Sequence, residues 1–365
     1  MKYKYWLYLL LSMGILALIS CGAPASGGPA QSEPAVAEAA EKTIACTPDR
    51  DTVAELDPGF SMVRFEGDYG FDLFLEQGGA VSDGKVLAFL AATFLPQDML
   101  PKSLLSAFGC STLSVPGTDG GYLFGRNFDW QPCDAMVVAA YPAGGYASIS
   151  TVNVSFIKQS AGLAAGLLTD DVLAFVSLYA PLDGMNEKGL CVCVNMIQDN
   201  ATIQQNTDKP DLTTTTAVRM LLDKAATVEE AVGLLAQYDM HASMNYMVHF
   251  AIADQSGASV AVEYIDGEMV VTPTPVLTNF YLAEGNKQGI GTQQSHTRFD
   301  ILTDTLEQTP VMDRLGVRDA LNSVSKHNFG EFESTEWSVV FDQSALAAFY
   351  YRRENYARCY SFTLP

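Results

Sequence analysis

Three residues about a third of the way along the chain have types and an order that could support nucleophilic catalysis. Cys110 stands at the start of a Cys-Ser-Thr-Leu-Ser-Val run, and Arg126 and Asp129 follow it on the next apolar run. A cysteine attacks as its thiolate or with a base beside it, so a cation and an orienting acceptor are the neighbours it needs. The run Pro-Gly-Thr-Asp-Gly-Gly at 116–121 predicts a turn between them. A β-hairpin folded there would bring Arg126 and Asp129 back toward the strand that begins at Cys110.

Three more blocks follow the hairpin in order along the chain. They are Asp183–Leu190, which precedes a strand reaching Asn195, then Leu277–Asn279, then Ser295–Phe299. With the cysteine hairpin they resemble the choloylglycine hydrolase and acid-amidase group of N-terminal nucleophile hydrolases. That group includes bile salt hydrolases, penicillin V acylases, the acyl-coenzyme A:6-aminopenicillanate acyltransferase and N-acylethanolamine acid amidase. The resemblance implies an α+β fold, the αββα sandwich, in which two packed antiparallel sheets are flanked by helices.

The same resemblance implies that the backbone is cut autocatalytically between Gly109 and Cys110. The freed α-amine of Cys110 would titrate near ~7.7–8.0 and could therefore act as a general base at neutral pH. The glycine would let the scissile carbonyl lie close to the thiol in a strained conformation. The implied activity is hydrolysis of a linear, non-peptide carbon–nitrogen amide bond through a thioester on Cys110. No cofactor or metal is expected, and a catalytic histidine is not required.

Five further residues take roles from the resemblance. Asp129 would accept a hydrogen bond from the Cys110 amine, and Arg126 would favour the thiolate. Asn195 and Asn279 would donate hydrogen bonds to the oxyanion, and Arg298 would balance the charge of Asp129. The spacing before Asn195 is one residue shorter than in bile salt hydrolases and closer to the acyltransferase-like branch.

Two alternatives remain open at this level. An acyltransferase of the same fold would pass the acyl group to an amine instead of water, which the sequence does not distinguish. A non-catalytic solute-binding lipoprotein would show no dependence on Cys110. The expected partner is a small-molecule amide, and an acyl amide, a bile salt and a penicillin-like compound all carry the same scissile linkage.

The N-terminal segment predicts export and anchoring. A basic start is followed by an apolar run at 6–19 that ends in Leu-Ile-Ser-Cys, which resembles a bacterial lipobox with Cys21 as the lipidated residue. Residues 1–20 would be the signal peptide, 21–41 a flexible tether, 42–109 a leader and 110–365 the catalytic domain. The predicted location is therefore the extracytoplasmic side of a bacterial cell membrane, held there by the lipid alone. A net charge of −21 argues against nucleic acid as a partner.

Periodicity and turn residues predict the elements around the site. The chain has seven cysteines, and removing the lipid site and the nucleophile leaves an odd number, so no complete disulfide framework is expected. Cys191 and Cys193 would share one face of a strand in a buried, structural role. Strands are predicted at 110–115, 122–128, 135–141, 148–156, 172–178, 189–196, 246–254, 258–264, 268–272, 336–342 and 346–351, and helices at 213–225, 227–238, 298–307 and 317–325.

Overall fold

The structure, a computed structural model, describes residues 41–94, 109–161, 168–329 and 333–365. Most of the described chain forms two large β-sheets, whose strands are numbered in chain order. The first sheet has seven strands in the spatial order β1 (Lys42–Ala45), β18 (Arg358–Thr363), β17 (Ala347–Arg352), β16 (Ser334–Asp342), β5 (Tyr122–Trp130), β4 (Gly109–Pro116) and β15 (Val276–Leu277).

The second sheet has nine strands. Their spatial order is β14 (Glu268–Pro273), β13 (Ser259–Ile265), β12 (Val248–Ala253), β9 (Cys191–Met196), β8 (Asp183–Asn186), β7 (Ser148–Asn153), β6 (Ala135–Pro142), β3 (Phe60–Gly67) and β2 (Ala54–Asp57). A separate pair consists of β10 (Asp211–Thr213) and β11 (Asp239–His241).

The helices in the described residues lie mainly on the outer faces of the sheets. They are α1 (Phe71–Glu76), α2 (Asp83–Thr93), α3 (Val154–Ala161), α4 (Asp170–Ser177), α5 (Thr214–Lys224), α6 (Val228–Leu235), α7 (Gln293–Gln308) and α8 (Arg314–Ser323). Two short 3₁₀ turns occupy Ser243–Asn245 and Lys326–Phe329. No helix among these described segments is both long enough and apolar enough to cross a membrane.

Alternation along β4 and β5 explains how the layers stack. Successive strand residues point to opposite faces, so Phe124 and Phe128 face the second sheet while Leu113 and Leu123 join α8 in a separate apolar cluster. Helices α7 and α8 therefore cover the first sheet, and α5 packs on β8 and β9 of the second. The predicted α+β fold, with two packed sheets between layers of helix, is confirmed.

The chain before Cys110 is part of both sheets. Strand β1 pairs in parallel with β18, and β3 pairs in parallel with β6 from Phe60↔Ala135 to Gly67↔Pro142. These are the parallel pairings within the two large sheets as described, and all their other ladders are antiparallel. The expectation of wholly antiparallel sheets is thus wrong at the two places where the leader enters.

Two predicted strands also need correction. The apolar run at 172–178 forms α4, because Thr169 caps the helix by accepting a hydrogen bond from the Val172 amide and two aspartates follow in the first turn. The run at 148–156 ends as a strand at Asn153 and continues as α3. Periodicity alone does not show whether a short apolar run forms a helix or a strand. The capping residues of α4 were the signal that distinguished the two.

Candidate active site

Cys110 is the second residue of β4 and is completely buried between the sheets. The predicted hairpin is formed: Cys110 pairs with Phe128, and the neighbouring Gly109 and Thr112 pair with Asp129 and Arg126. The Arg126 Nη2 atom lies 3.5 Å from the Cys110 sulfur. The hairpin therefore places a guanidinium directly on the proposed nucleophile.

The electrostatics of the uncut chain favour the neutral thiol. Burial raises the pKa of the Cys110 thiol, which the positive charge of Arg126 opposes and the Asp129 carboxylate reinforces. Hydrogen bonds from Arg126 and from the backbone amide of Asp129 also act to lower that pKa, but burial dominates. The expectation that Arg126 favours a thiolate thus has the right sign, yet in the closed site the charge alone is insufficient. Attack by this sulfur needs a base that accepts its proton.

Arg126 is fixed by a carboxylate that the sequence analysis left without a role. It forms a buried ion pair with Asp183 of β8, and it donates a hydrogen bond to the Val194 carbonyl at 2.9 Å. The Trp337 indole donates to the same Asp183 carboxylate at 2.9 Å. Asp183 opens the second sequence block, so its position was a usable signal. It ties the first sheet to the second beside the sulfur.

Asp129 and Arg126 do not act as a pair. They are three positions apart on a strand and so point to opposite faces. Asp129 faces α7, where the Arg298 Nη1 atom lies 2.8 Å from its carboxylate. Thr335 donates a second hydrogen bond to that carboxylate at 2.7 Å. Arg298 thus lies where it can balance the charge of Asp129, and the bond from a freed Cys110 amine to Asp129 stays a prediction.

Arg298 also binds the backbone of Cys110. Its Nη1 atom donates to the Cys110 carbonyl at 3.1 Å and to the Ser111 hydroxyl at 2.7 Å. Its Nη2 atom donates to Asn279 Oδ1 at 2.6 Å. One buried guanidinium therefore joins the nucleophile strand, the Asp129 carboxylate and the third sequence block.

Asn279 binds the backbone nitrogen of Cys110. Its Oδ1 atom accepts the Cys110 backbone N–H at 2.9 Å, and its Nδ2 atom donates to the Met196 carbonyl at 2.6 Å. The two donors on Oδ1 fix the orientation of the amide, since the flipped side chain would turn its own N–H groups toward them. Asn279 therefore holds the nitrogen of Cys110, and its donor group is already engaged.

Asn195 lies in β9, and its side-chain N–H group makes only a long hydrogen bond. Its Nδ2 atom reaches the Leu277 carbonyl at 3.4 Å, and its Oδ1 atom lies 3.6 Å from the Cys193 sulfur. Thr112, two residues after the nucleophile, bonds to the same Leu277 carbonyl at 3.3 Å. The long bond leaves the Asn195 N–H group able to turn to a developing oxyanion at small cost.

A buried histidine supports the segment that carries Asn279. The Nε2 atom of His249 lies 2.8 Å from the Thr278 carbonyl, and its Nδ1 atom lies 3.0 Å from Glu263. Burial acts to raise the pKa of Glu263, but hydrogen bonds from His249 and from the amides of Leu282 and Ala283 hold it below its usual range. The 277–279 segment is therefore held by His249, which is oriented in turn by the Glu263 carboxylate.

The remaining cysteines match their predicted role. In the described residues the six cysteines are all free, and Cys191 and Cys193 are fully buried on β9. Burial raises the pKa of Cys193 to about 12, although Arg126 acts in the opposite direction. Cys21 lies outside the described residues.

An apolar cavity is lined in part by a residue that packs against the partner strand of Cys110. Its lining includes Leu90 of α2 together with Phe156, Val176 and Leu182, and none of the six predicted catalytic residues. Phe156 packs against Phe128, with ring centroids 6.5 Å apart, and Phe128 is the strand partner of the nucleophile. Two aromatic side chains, Phe156 and Phe128, thus connect the cavity lining to the strand that pairs with Cys110.

Comparison with known proteins gives the class. Residues 110–280 match the family model described as linear amide C-N hydrolases, choloylglycine hydrolase family. The penicillin V acylase of Pectobacterium atrosepticum is 32% identical over 99 residues, which is 24% of this chain and 26% of that protein. The match thus spans about a quarter of the length of this curated relative.

Two solved structures are similar over a larger part of the chain. The penicillin V acylase from Agrobacterium tumefaciens is 20% identical with a TM-score of 0.47, and the match covers 67% of this chain and 83% of that one. A mutant of the conjugated bile acid hydrolase from Clostridium perfringens is 18% identical with a TM-score of 0.49, covering 67% and 89%.

Proposed function

We propose that the chain cuts itself between Gly109 and Cys110 and then hydrolyses a linear carbon–nitrogen amide bond through a thioester on Cys110. The observation that carries this proposal is the double hold on Cys110. Its backbone nitrogen is bound by Asn279 at 2.9 Å while its sulfur lies 3.5 Å from Arg126. A residue held at both the nitrogen and the sulfur is arranged for chemistry that uses both atoms.

The mature amine supplies the base that the buried thiol lacks. An α-amine titrates near ~7.7–8.0, so its neutral form is available at neutral pH and can take the proton of the Cys110 sulfur. The sulfur then attacks the substrate carbonyl, and the amine returns the proton to the leaving nitrogen. Water hydrolyses the thioester and restores the thiol. Asn279 keeps the amine in place, and Arg126 stabilises negative charge on sulfur.

The oxyanion requires a separate donor. Asn195 is our candidate because its N–H group makes only a long hydrogen bond of 3.4 Å. One such donor typically contributes ~3–4 kcal/mol to the transition state. Asn279 contributes by orientation, since its own N–H group is engaged with Met196. Arg298 and Asp129 hold the nucleophile strand in register with both.

The substrate we propose is a small molecule with an apolar acyl group. The apolar cavity is lined mostly by aliphatic and aromatic side chains, which suits an acyl chain or ring system better than a peptide. Penicillin V and conjugated bile acids, which the names of similar proteins carry, are the first compounds to test. The acidic surface of the chain offers no argument for a nucleic-acid substrate.

Intact mass and an acyl trap test this proposal together. The purified protein should split into pieces ending at Gly109 and beginning at Cys110, and Cys110→Ala should stay whole and inactive because it lacks the nucleophile and its amine. Acid quench during turnover of an amide panel should leave the acyl group on Cys110. Cys133→Ala, which removes another buried thiol, is the matched control and should cleave and turn over normally.

Undiminished turnover in Cys110→Ala, or an acyl group on another cysteine, would refute the mechanism and favour a solute-binding role. A product acylated on an added amine would assign the chain to the acyltransferases.

We also propose that Cys21 anchors the protein to the membrane. Cys21→Ala should move the protein from the membrane fraction to the soluble fraction without changing turnover per molecule. Retention of that variant in salt-washed membranes would contradict a lipid anchor at this position.

A further inference from the structure

A buried lysine lies against the glycine that would become the end of the leader. Lys326 is 2% exposed and begins the 3₁₀ turn after α8. A Cβ atom placed on Gly109 would lie 3.3 Å from the Lys326 Nζ atom and 3.4 Å from an Asp129 carboxylate oxygen. Gly109 does not adopt a left-handed φ. Its missing side chain therefore makes room for this lysine, and the strained backbone expected at Gly109 is not found.

The position of the lysine is fixed by several contacts. Its Nζ atom lies 2.7 Å from Gln294 Oε1 and 3.0 Å from Glu333 Oε2. Its backbone N–H donates to the Thr335 hydroxyl at 3.0 Å, and that hydroxyl in turn donates to Asp129. The lysine is thus part of the same hydrogen-bonded group as Asp129, although it lies outside the four sequence blocks.

Cleavage at Gly109 creates a charge problem at this point. The Cys110 sulfur attacks the Gly109 carbonyl, the carbon–nitrogen bond breaks, and the thiol proton moves to the new amine. Water then hydrolyses the thioester, which restores the thiol, leaves a carboxylate on Gly109 and gives the remaining proton to the Cys110 amine. That carboxylate forms in a buried site beside Asp129, where an unpaired charge costs several kcal/mol. The first part of the leader stays in the protein, because β1 and β3 belong to the two sheets, and Gly109 itself, in β4, pairs with Asp129.

We propose that Lys326 is the binding site for the carboxylate that cleavage creates on Gly109. Arg298 is placed differently, because its Nη atoms bind Asp129, Asn279 and the Cys110 carbonyl, on the Cys110 side of the bond that is cut. The amine released on Cys110 faces Asn279, on the other side of the broken bond. Lys326 therefore keeps the two new chain ends apart and holds the leader terminus at the site. This inference rests on the cleavage proposed above.

A double-mutant cycle between the lysine and the cut separates this role from a structural one. Lys326→Met is made in the cleavable chain and in the Cys110→Ala chain, where no Gly109 carboxylate exists. Urea unfolding is measured for four proteins at one protein concentration: the cleaved protein and the uncut Cys110→Ala protein, each with and without Lys326→Met. Loss of the Glu333 and Gln294 contacts is common to both backgrounds and cancels. A charge-assisted hydrogen bond predicts that Lys326→Met raises the unfolding equilibrium constant about 10- to 100-fold more in the cleaved protein.

Lys326→Arg is the matched variant, because it keeps the positive charge. Its effect on the unfolding equilibrium constant should therefore be nearly the same in the cleaved and uncut proteins. Equal effects of Lys326→Met in the two backgrounds would overturn the inference while leaving the cleavage mechanism intact. Failure of Lys326→Met to cleave would also overturn it, since it would assign the lysine to bond breaking instead of product binding. A wild-type chain that stays whole would refute the proposed function first, and this binding site with it.

Discussion

Arg298→Met should destabilise the protein strongly, because it leaves a buried carboxylate without its cation. Arg298 is 1% exposed and Asp129 is fully buried, with 2.8 Å between their charged atoms. Removal of Arg298 leaves the Asp129 carboxylate bound by Thr335. Breaking a buried ion pair by removing one partner typically costs ~3–5 kcal/mol, so we expect a loss of that size.

The measurement is urea unfolding in the Cys110→Ala background, where every variant stays in one piece. Asp129→Asn combined with Arg298→Met removes both charges and should recover part of the loss, so the double variant should be more stable than the two single losses predict. Arg50→Met is the control, because Arg50 pairs with Asp51 on the surface, where both side chains are more than half exposed. It should change stability little.

Two results would refute this reasoning. A loss below ~1 kcal/mol for Arg298→Met would mean that the pair is not desolvated as the structure shows. Strict additivity of the two substitutions would mean that the residues do not interact. In the cleavable chain, Arg298→Met should also slow self-cleavage, because Arg298 binds both the Cys110 carbonyl and the Asn279 oxygen that holds the Cys110 nitrogen.

Three further predictions test other parts of the structure. Asp183→Asn should lower the free energy of unfolding in urea by ~3–5 kcal/mol, because it leaves Arg126 buried without its carboxylate. An intact-mass time course of this variant should also show slower cleavage. Normal stability together with a normal cleavage rate would contradict the assigned pairing. Glu263 has a pKa below its ordinary 4.5, despite burial, because of His249 and two backbone amides. Its stabilisation should therefore be full above pH 4.5 and fade as the pH falls through the lowered value, so the stability gap between wild type and Glu263→Gln should narrow on acidification; a gap that widens would reverse the sign of the argument. Thr169→Ala should lower the free energy of unfolding by ~1 kcal/mol because it removes the cap of α4, whereas Thr169→Ser should change it little. An unchanged stability of Thr169→Ala would contradict the helix assigned to this segment.

The hairpin of the site was predictable because its signals are local. A glycine-rich turn between two apolar runs determines which strands pair, and the pairing brings Arg126 to the sulfur of Cys110. The same period of two also shows that Arg126 and Asp129 cannot share a face, an inference that the sequence allowed but the simple pairing of charges overlooked. Local pattern was enough for the strand and for its faces.

The rest of the site depends on contacts between distant segments. Lys326 reaches Gly109 only because the 3₁₀ turn after α8 packs on β16, and nothing around it in the sequence marks a functional residue. Asn279 was expected to present its N–H group, yet its orientation is decided by Arg298 and by the Cys110 amide. Such hydrogen-bond directions follow from the assembled neighbours, which no spacing rule contains.

The parallel pairing of β3 with β6 has a consequence for producing this protein. A gene fragment that begins at Cys110 would leave the eight residues of β6, Ala135–Pro142, as an open sheet edge rich in small and aliphatic side chains. It would also uncover β18 at the edge of the other sheet. Unprotected edges of this kind pair with other copies and aggregate. The segment before Cys110 thus covers strands that would otherwise be open edges in both sheets, and we expect active material only when both parts of the chain are synthesised together.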